Sequence, residues 1–202
     1  MQTIDLVRGY QQEIVDVSEG ELDAALGIEA RDWQPDVCRD SALQTRFPGE
    51  SIVNVATPYA VCRQLLGRIT LGADDTFLDM GCGDGRVVLY GAVLCPNTRF
   101  RGVDLIAERV ERLRGAGREL GLQNVDAVCG DVLEQDIDDV TVFYAHRPFS
   151  VETEAAVLDK LHTEARKRSI TVATNRLQPS LFDLDLFERD GRGTLLIYRS
   201  RL

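Results

Sequence analysis

The sequence of 202 residues contains only two histidines, two lysines and one tryptophan, and it has no apolar run long enough to cross a bilayer. The segment Met1–Tyr10 also lacks the basic and then apolar layout of a secretion signal. These absences favour a cytoplasmic protein that does not contact a membrane. Hydrophobic residues make up 44% and charged residues 28% of the chain, which is typical of a folded globular protein.

The cysteines are too few and too irregularly spaced for a disulfide framework or a zinc site. Their number is odd, and no two of them are separated as CxxC. With His146 and His162 as the only histidines, a metal cluster of histidine and cysteine is not expected. We therefore predict reduced thiols that mostly serve packing. The five residues are Cys38, Cys62, Cys82, Cys95 and Cys129.

Negative charge exceeds positive charge, with 33 acidic against 23 basic residues and a net charge of −10. The excess is concentrated in residues 1–50, which hold 11 acidic and 4 basic side chains. An acidic surface repels phosphate backbones, so nucleic acid is a less expected partner.

Residues 1–50 have the pattern of a helical extension ahead of a domain at 51–202. Ser18 and Glu21 form a capping-box pattern that opens a second short helix. Further along the chain, Thr57 and Pro58 are typical of an N-cap followed by the first residue of a helix. The apolar residues at helical spacing in the first helix are Leu6, Tyr10, Ile14 and Val17.

From residue 76 onward, strand-like and helix-like segments alternate, which predicts an α/β fold with a parallel sheet and helices on both faces. After the fifth strand the pattern changes to strand, tight turn and strand, over 181–188 and 194–198 around Asp190–Gly193. We therefore predict a doubly wound, mostly parallel seven-stranded sheet with an antiparallel C-terminal hairpin. The five expected parallel strands lie at 76–80, 100–105, 125–129, 140–144 and 170–173.

The segment Phe77–Arg86 carries the clearest chemical signal, because it lies where a strand turns into a helix. Asp79 is followed by three glycines at every second position, which allow a tight turn and a close approach of ligand to backbone. Arg86 stands where a dinucleotide-binding turn needs its third glycine, and no Gly-Lys-Ser/Thr is present for a P-loop. A carboxylate at the strand tip would repel a pyrophosphate. It suits a ligand with an ammonium group, such as the methionine part of S-adenosylmethionine (SAM).

Over residues 54–202 the sequence resembles the Rossmann-like, seven-stranded SAM-dependent methyltransferases. Three motifs carry the resemblance, namely Asp79–Gly85, Gly102–Leu105 and Gly130–Val132, and each falls at the end of an expected strand. The resemblance implies that Asp104 binds the ribose hydroxyls of SAM. It also implies that Asp131 accepts from the adenine amino group and that Val132 supplies a backbone contact.

Within this family, the sequence resembles the seven-stranded lysine methyltransferases and their small bacterial relatives more closely. This closer resemblance rests on Asn54–Pro58 ahead of a helix and on Asp84-Gly85-Arg86 at the end of the first motif. In those proteins the segment before the helix closes over the methionine end of SAM. Their fourth-strand motif often reads Tyr-Asn-Pro-Phe, and Arg147 stands here in place of the asparagine. The residues that the resemblance assigns to the cofactor are Thr57, Asp79, Gly81, Cys82, Gly83, Asp104, Leu105, Asp131, Val132 and Tyr144.

His146 is the expected catalytic residue, because it follows the fourth strand, where this family places groups close to the transferred methyl. A histidine titrates near neutrality and could act as the general base for a protonated acceptor. A loop histidine that caps the strand end is the alternative. His162 is expected at the core boundary, Cys82 as a packing residue rather than a nucleophile, and Trp33 as an anchor of the extension or an acceptor contact.

The sequence thus predicts an enzyme that methylates a protein side chain or a small molecule, with SAM as its cofactor. Two alternatives remain at this point: a nucleic-acid methyltransferase, and a SAM-binding or partner-binding module without catalysis. The acidic charge argues against the first. The stretch His146–Phe149 also matches poorly to the Asn/Asp-Pro-Pro-aromatic motif of adenine amino methylases. Residues 1–50 could be a lid over the cofactor or a cover for a remote face.

Overall fold

The computed structural model describes residues 2–28, 55–175, 177, 179–191 and 193–202. Trp33, Cys38 and Asn54 lie outside the described residues, as does the expected boundary between residues 50 and 51. Arg192, in the turn of the C-terminal hairpin, also lies outside them.

The described part of the chain forms six α-helices and seven strands. The helices are α1 (Thr3–Gln11), α2 (Glu19–Ala25), α3 (Tyr59–Arg68), α4 (Arg86–Leu94), α5 (Ala107–Glu119) and α6 (Val151–Ala165). The strands are β1 (Thr76–Met80), β2 (Arg99–Asp104), β3 (Val125–Cys129), β4 (Val142–His146), β5 (Thr171–Asn175), β6 (Phe187–Asp190) and β7 (Leu195–Ser200). Short 3₁₀ turns cover Val132–Glu134 and Pro179–Leu181.

All seven strands form one sheet in the order β3-β2-β1-β4-β5-β7-β6. Strands β1 to β5 are parallel, while β7 runs antiparallel to β5 and β6 antiparallel to β7. The predicted doubly wound, mostly parallel sheet with an antiparallel C-terminal hairpin is therefore confirmed. The chain order reverses between β1 and β4, so a ligand crevice is expected beyond the carboxyl ends of these two strands.

Helices cover the two faces of the sheet and bury a separate apolar cluster on each. One cluster joins α3, α4 and α5 to the side chains of Phe77 and Tyr144, and α1 and α2 add Val7, Leu22 and Leu26 to it. The other cluster packs α6 against Leu78 and Phe143. Among the described residues, no helix is both long enough and apolar enough for a membrane span.

The first helix is shorter than its apolar spacing predicts. It ends at Gln11, and Glu13 adopts a positive φ of 59° directly after it. The turn there takes Ile14 off the helix and leaves it 72% exposed, whereas Leu6 and Tyr10 pack against the core. The capping box of α2 forms as predicted, with the Ser18 hydroxyl accepting from the Glu21 amide and the Glu21 carboxylate accepting from the Ser18 amide.

Thr57 does not cap α3, contrary to the sequence interpretation. Pro58 occupies the N-cap position and has no side-chain donor or acceptor for the role. The amide of Tyr59, the first helical residue, donates instead to the Glu19 carboxylate of α2 at 3.0 Å. The cap therefore comes from the N-terminal extension, and the Thr57 side chain remains available for other partners.

Two glycines in helices allow a matched test of packing. A Cβ added to Gly91 in α4 would lie 2.3 Å from the ring of the fully buried Phe100, whereas one added to Gly115 in α5 meets no atom within 4 Å. Overpacking costs about 1–3 kcal/mol, while replacing a helical glycine by alanine gains about 1 kcal/mol. Gly91→Ala should thus lower the free energy of unfolding by up to about 2 kcal/mol, and Gly115→Ala should raise it by up to about 1 kcal/mol. Urea denaturation measures both, and equal effects would contradict the close contact.

Candidate active site

The turn between β1 and α4 is built from three glycines with positive φ. Gly81, Gly83 and Gly85 have φ angles of 80°, 56° and 86°, which a residue with a Cβ adopts only under strain. A Cβ added to Gly81 would lie 2.3 Å from the Pro148 side chain, so the loop after β4 packs directly on this turn. The two loops at the reversal of strand order therefore form one continuous edge.

Asp104 ties the end of β2 to the same turn. Its carboxylate accepts from the Gly83 amide at 2.9 Å and from the Ile106 amide at 3.0 Å. The guanidinium of Arg109 lies 3.6 Å away, and both side chains are buried. These contacts hold the carboxylate at the carboxyl end of β2, where the sequence interpretation expected it.

Asp79 has a very different environment from Asp104. It is 3% exposed, and its carboxylate has no hydrogen bond or ion pair with any residue in the described part of the chain. Burial, to which the nearby Asp104 charge adds, raises the pKa of Asp79 to about 8. A buried carboxylate without a partner is costly in the ligand-free protein, and a cationic ligand would stabilise its ionised form.

Asp131 and Val132 follow the end of β3. Because β2 lies between β3 and β1, Asp104 separates these two residues from the end of β1. The Asp131 carboxylate accepts from the Leu133 amide at 2.9 Å and so caps a short 3₁₀ turn. Val132 is buried beside it, and Leu105, directly after β2, is half-buried. The expected adenine-side residues thus lie along the same edge of the sheet as Asp79 and Asp104, because β1, β2 and β3 are parallel neighbours.

Thr57, Tyr144 and His146 form a contact that the sequence did not predict. The Thr57 hydroxyl oxygen lies 2.9 Å from Nδ1 of His146 and 3.3 Å from the phenol oxygen of Tyr144. Thr57 and Tyr144 are buried, and burial raises the pKa of the Tyr144 phenol well above its usual range. His146 is the last residue of β4 rather than a residue after it, because the strand extends through its pairing with Asn175 of β5.

Cys82 is a packing residue, as the sequence predicted. Its thiol lies 3.6 Å from the Gly83 carbonyl, and burial raises its pKa well above the usual value, so the reactive thiolate is disfavoured. A Cβ added to Gly102 would lie 2.7 Å from the Cys82 sulfur. Cys82 therefore fills the space that this glycine leaves on β2.

His162 also lies where it was expected, at the boundary of the core. Its ring is near the rings of Phe182 and Phe187, and its Nε2 accepts from the Asp183 amide at 3.3 Å. Burial lowers the pKa of His162. The ring belongs to the apolar face under α6 and not to the edge that carries Asp79 and His146.

Arg86 is the functional residue that sequence reasoning missed most clearly. It is the first residue of α4, and its guanidinium binds both oxygens of Asp23, at 3.0 and 2.5 Å, and Glu19 at 2.9 Å. It also donates to the carbonyl of Thr57 at 3.1 Å and lies over the ring of Tyr59. Glu19 and Asp23 stand four residues apart, so they share one face of α2, and that spacing was the available signal.

Asn175 was also missed, because nothing in the sequence distinguishes it from an ordinary strand-end residue. It is 3% exposed and lies opposite His146 in the β4–β5 pairing. Its side-chain oxygen has no hydrogen bond to a residue that the structure describes, and its amide contacts the Tyr144 phenol. The ends of β4 and β5 thus add a second group of buried polar side chains next to the one on β1 and β2.

The residues at this edge suit SAM by three criteria. The glycine turn follows β1 at the reversal of strand order, where a ligand crevice is expected, and the Asp79 carboxylate, which has no partner among the described residues, suits an ammonium group. Asp104 and Asp131 place carboxylates at the carboxyl ends of β2 and β3, and each carboxylate oxygen can accept more than one hydrogen bond from hydroxyl or amino donors.

A family model described as a methyltransferase domain matches residues 77–179, just over half of the chain. The match begins in β1 and includes the glycine turn, Asp104, Asp131 and His146. The chain belongs to this family. The resemblance drawn from the three sequence motifs is thereby confirmed at the level of the methyltransferase domain.

Curated relatives of this methyltransferase domain carry different names. The chain is 33% identical over 89 residues to a protein-lysine N-methyltransferase of Saccharolobus islandicus (strain REY15A), a match that covers 44% of this chain and 55% of the relative. It is 38% identical over 63 residues to a probable (S)-tetrahydroprotoberberine N-methyltransferase 2 of Papaver bracteatum, a match that covers 31% of this chain and 18% of the relative. The chain thus spans about half or less of the length of these relatives.

A solved structure with a similar fold is the RNA methyltransferase of Salinibacter ruber in complex with S-adenosyl-L-homocysteine. The TM-score is 0.53 at 23% identity, and the alignment covers 72% of this chain and 92% of the other. At this identity the likeness supports the fold of the methyltransferase domain and not its acceptor.

The raised pKa of Asp79 predicts a pH-dependent stability. Because its pKa is about 8 in the folded protein and about 3.9 in an unfolded chain, this group destabilises the ligand-free protein increasingly as pH rises from about 4 to 8. Asp79→Asn should therefore raise Tm at pH 8.5 by at least about 2–4 °C, which is the shift that a change of about 1 kcal/mol in the free energy of unfolding produces in a protein of this length. The difference in Tm should vanish near pH 4. Thermal unfolding across pH measures the difference. Asp74→Asn, at an exposed residue just before the same strand, is the control. An equal Tm for Asp79→Asn and wild type at every pH would refute the assignment.

Proposed function

We propose that this methyltransferase domain binds SAM and transfers its methyl group to a protein side chain or a small molecule. The observation that carries the proposal is the row of carboxylates at the ends of three adjacent parallel strands. Asp79 on β1, Asp104 on β2 and Asp131 after β3 share one edge with His146 at the end of β4. A row of this kind matches the ammonium, hydroxyl and amino donors that follow one another along SAM.

Each residue expected at the cofactor has a specific part in this proposal. Asp79 binds the ammonium group, Asp104 the ribose hydroxyls, and Asp131 the adenine amino group, while the Val132 backbone supports the adenine. The glycine turn lets the backbone approach the methionine part, which Thr57 and Tyr144 border on the other side. The remaining contacts in the proposal come from Gly81, Cys82, Gly83 and Leu105.

SAM, when bound, supplies a methyl group on a positively charged sulfur. An acceptor atom attacks the methyl carbon with its lone pair, the carbon–sulfur bond breaks, and its electrons stay on the sulfur. A protonated acceptor must lose one proton, which His146 takes as general base in this proposal. The residues around His146 hold the acceptor in line, which is the larger contribution to such a displacement.

The charge of the chain supports the acceptor class in this proposal. The net charge of −10 disfavours a phosphate backbone, which supports a protein or small-molecule acceptor over a nucleic acid. The name of the Saccharolobus relative supports a protein side chain, and that of the Papaver relative a small molecule.

We also propose that residues 1–50 form a lid over the cofactor or a wall of the acceptor site, rather than a cover for a remote face of the sheet. The support comes from α2, whose Glu19 and Asp23 bind Arg86 directly after the glycine turn. Arg86 in turn binds the carbonyl of Thr57, at the proposed methionine side of the cofactor. The extension is therefore connected to the two segments that border the site.

Cofactor binding should depend on Asp104. Asp104→Asn keeps the size of the side chain but removes the charge, which weakens hydrogen bonds worth about 1.5–3 kcal/mol. SAM affinity should fall about 10- to 100-fold, measured by calorimetry on a variant whose circular dichroism matches wild type. His162→Gln, under α6, should leave the affinity unchanged. Equal affinity in Asp104→Asn and wild type would remove Asp104 from the cofactor site.

Methyl transfer itself should depend on His146. The protein is incubated with SAM labelled on its methyl group, together with separate pools of protein, RNA and small metabolites. Label should enter the protein or metabolite pool, and His146→Ala should lower the rate about 100-fold or more while SAM affinity stays near that of wild type.

The other outcomes of that experiment are equally informative. Label in RNA alone would favour a nucleic-acid methyltransferase. SAM binding without transfer to any pool would favour a binding module that lacks catalysis. A wild-type rate in His146→Ala would show that His146 only ends β4.

A further inference from the structure

The hydroxyl of Thr57 is placed between two side chains of β4 that point to the site. It lies 2.9 Å from Nδ1 of His146 and 3.3 Å from the phenol oxygen of Tyr144, and it is buried. Neither the N-cap role predicted from the sequence nor a packing role requires these two contacts. Nδ1 is thus the ring nitrogen of His146 that Thr57 contacts, and the tautomer of the ring decides which of the two atoms donates.

Thr57 lies in a segment without helix or strand, so its position depends on what holds its backbone. The carbonyl of Thr57 accepts from the Arg86 guanidinium at 3.1 Å. Two residues later, the amide of Tyr59 donates to Glu19 at 3.0 Å, and its phenol donates to Asp23 at 2.7 Å. The segment is thus held on both sides of Pro58 by groups from α2 and α4.

The charges that hold Thr57 are largely withdrawn from water. The side chains of Arg86 and Asp23 are 14% and 12% exposed, while Glu19 at the rim is 50% exposed. A buried guanidinium keeps its geometry only when its carboxylate partners remain, because an uncompensated buried charge is costly. The contact between α2 and Arg86 therefore bears on the position of the Thr57 backbone.

We propose that Thr57 is a positioning residue for His146, and that Glu19 and Asp23 of α2 hold it in place through Arg86. The proposal rests on the proposed function, in which His146 meets the acceptor. Nδ1–H of His146 donates to the Thr57 hydroxyl oxygen, and the Thr57 hydroxyl donates to the phenol oxygen of Tyr144. This order places the proton of the neutral ring on Nδ1 and the lone pair on Nε2, as a general base at Nε2 requires.

The tautomer of His146 can be measured without any acceptor, because the chain has only two histidines. In nitrogen-15 NMR spectra of the SAM-bound protein, assigned with His162→Gln, His146 should carry its proton on Nδ1. His162 serves as an internal reference, since its Nε2 accepts from the Asp183 amide and its proton must also be on Nδ1. Thr57→Val, which removes the hydroxyl but keeps the shape, should give a mixture of tautomers, and Thr57→Ser should restore the single form.

The same variants separate positioning from cofactor binding. Thr57→Val should lower kcat about 10- to 100-fold and SAM affinity by a clearly smaller factor, while Thr57→Ser recovers most of the rate. The part played by α2 is tested with Asp23→Asn and, in case that variant unfolds, with Glu19→Gln at the rim. Both should shift the His146 signals in the direction of Thr57→Val. Asp139→Asn, which removes a carboxylate from Arg99 and Arg101 at the opposite end of the sheet, should not.

The proposal is overturned by any of three results. The first is a wild-type His146 with its proton on Nε2. The second is a tautomer that Thr57→Val leaves unchanged. The third is a loss of SAM affinity in Thr57→Val that accounts for the whole loss of rate, which would make Thr57 a cofactor contact without a positioning role. Absence of methyl transfer in wild type would instead refute the proposed function. The tautomer measured by NMR does not depend on methyl transfer, so the two failures can be told apart.

Discussion

The guanidinium of Arg86 is the group through which three separate segments of the chain are held together. It begins α4 directly after the glycine turn, pairs with Asp23 and Glu19 of α2, and binds the carbonyl of Thr57. Because each partner comes from a different part of the sequence, none of these segments is positioned by local structure alone. The turn, the segment before α3 and the N-terminal extension therefore share one geometry, and the site between them depends on it.

Asp79 and Asp104 lie at the same edge of the sheet but have different surroundings. Asp104 accepts two backbone amides and lies beside Arg109, so its carboxylate is held in place by groups of the folded protein itself. Asp79 has no such partner among the described residues, and its raised pKa reflects that lack. The protein thus pairs one carboxylate with its own groups and, within the described part of the chain, leaves the other buried without a partner, at a cost to stability.

The general plan of the fold and much of the candidate site could be predicted because both depend on local patterns. Alternating strand and helix segments specify a parallel sheet, and parallel strands bring Asp79, Asp104 and Asp131 to one edge whatever the details of packing. Boundaries were less predictable. Val140–Tyr144 was expected as the fourth strand, but β4 spans Val142–His146, since its end is set by pairing with β5 rather than by its own composition.

Short-range patterns in the sequence were enough to predict the α/β fold, the glycine turn and the carboxylates at the strand ends, since these follow from periodicity, backbone freedom and residue type over short distances. Tertiary packing, by contrast, is what brings Thr57 to His146 instead of to the N-terminus of α3, and what lets Glu19 cap that helix in its place. Such partners lie 40 to 89 residues apart along the chain. No local preference selects them, because hydroxyls, carboxylates and imidazoles can each bond many groups, and the packing of α2 against α3 and α4 makes the choice.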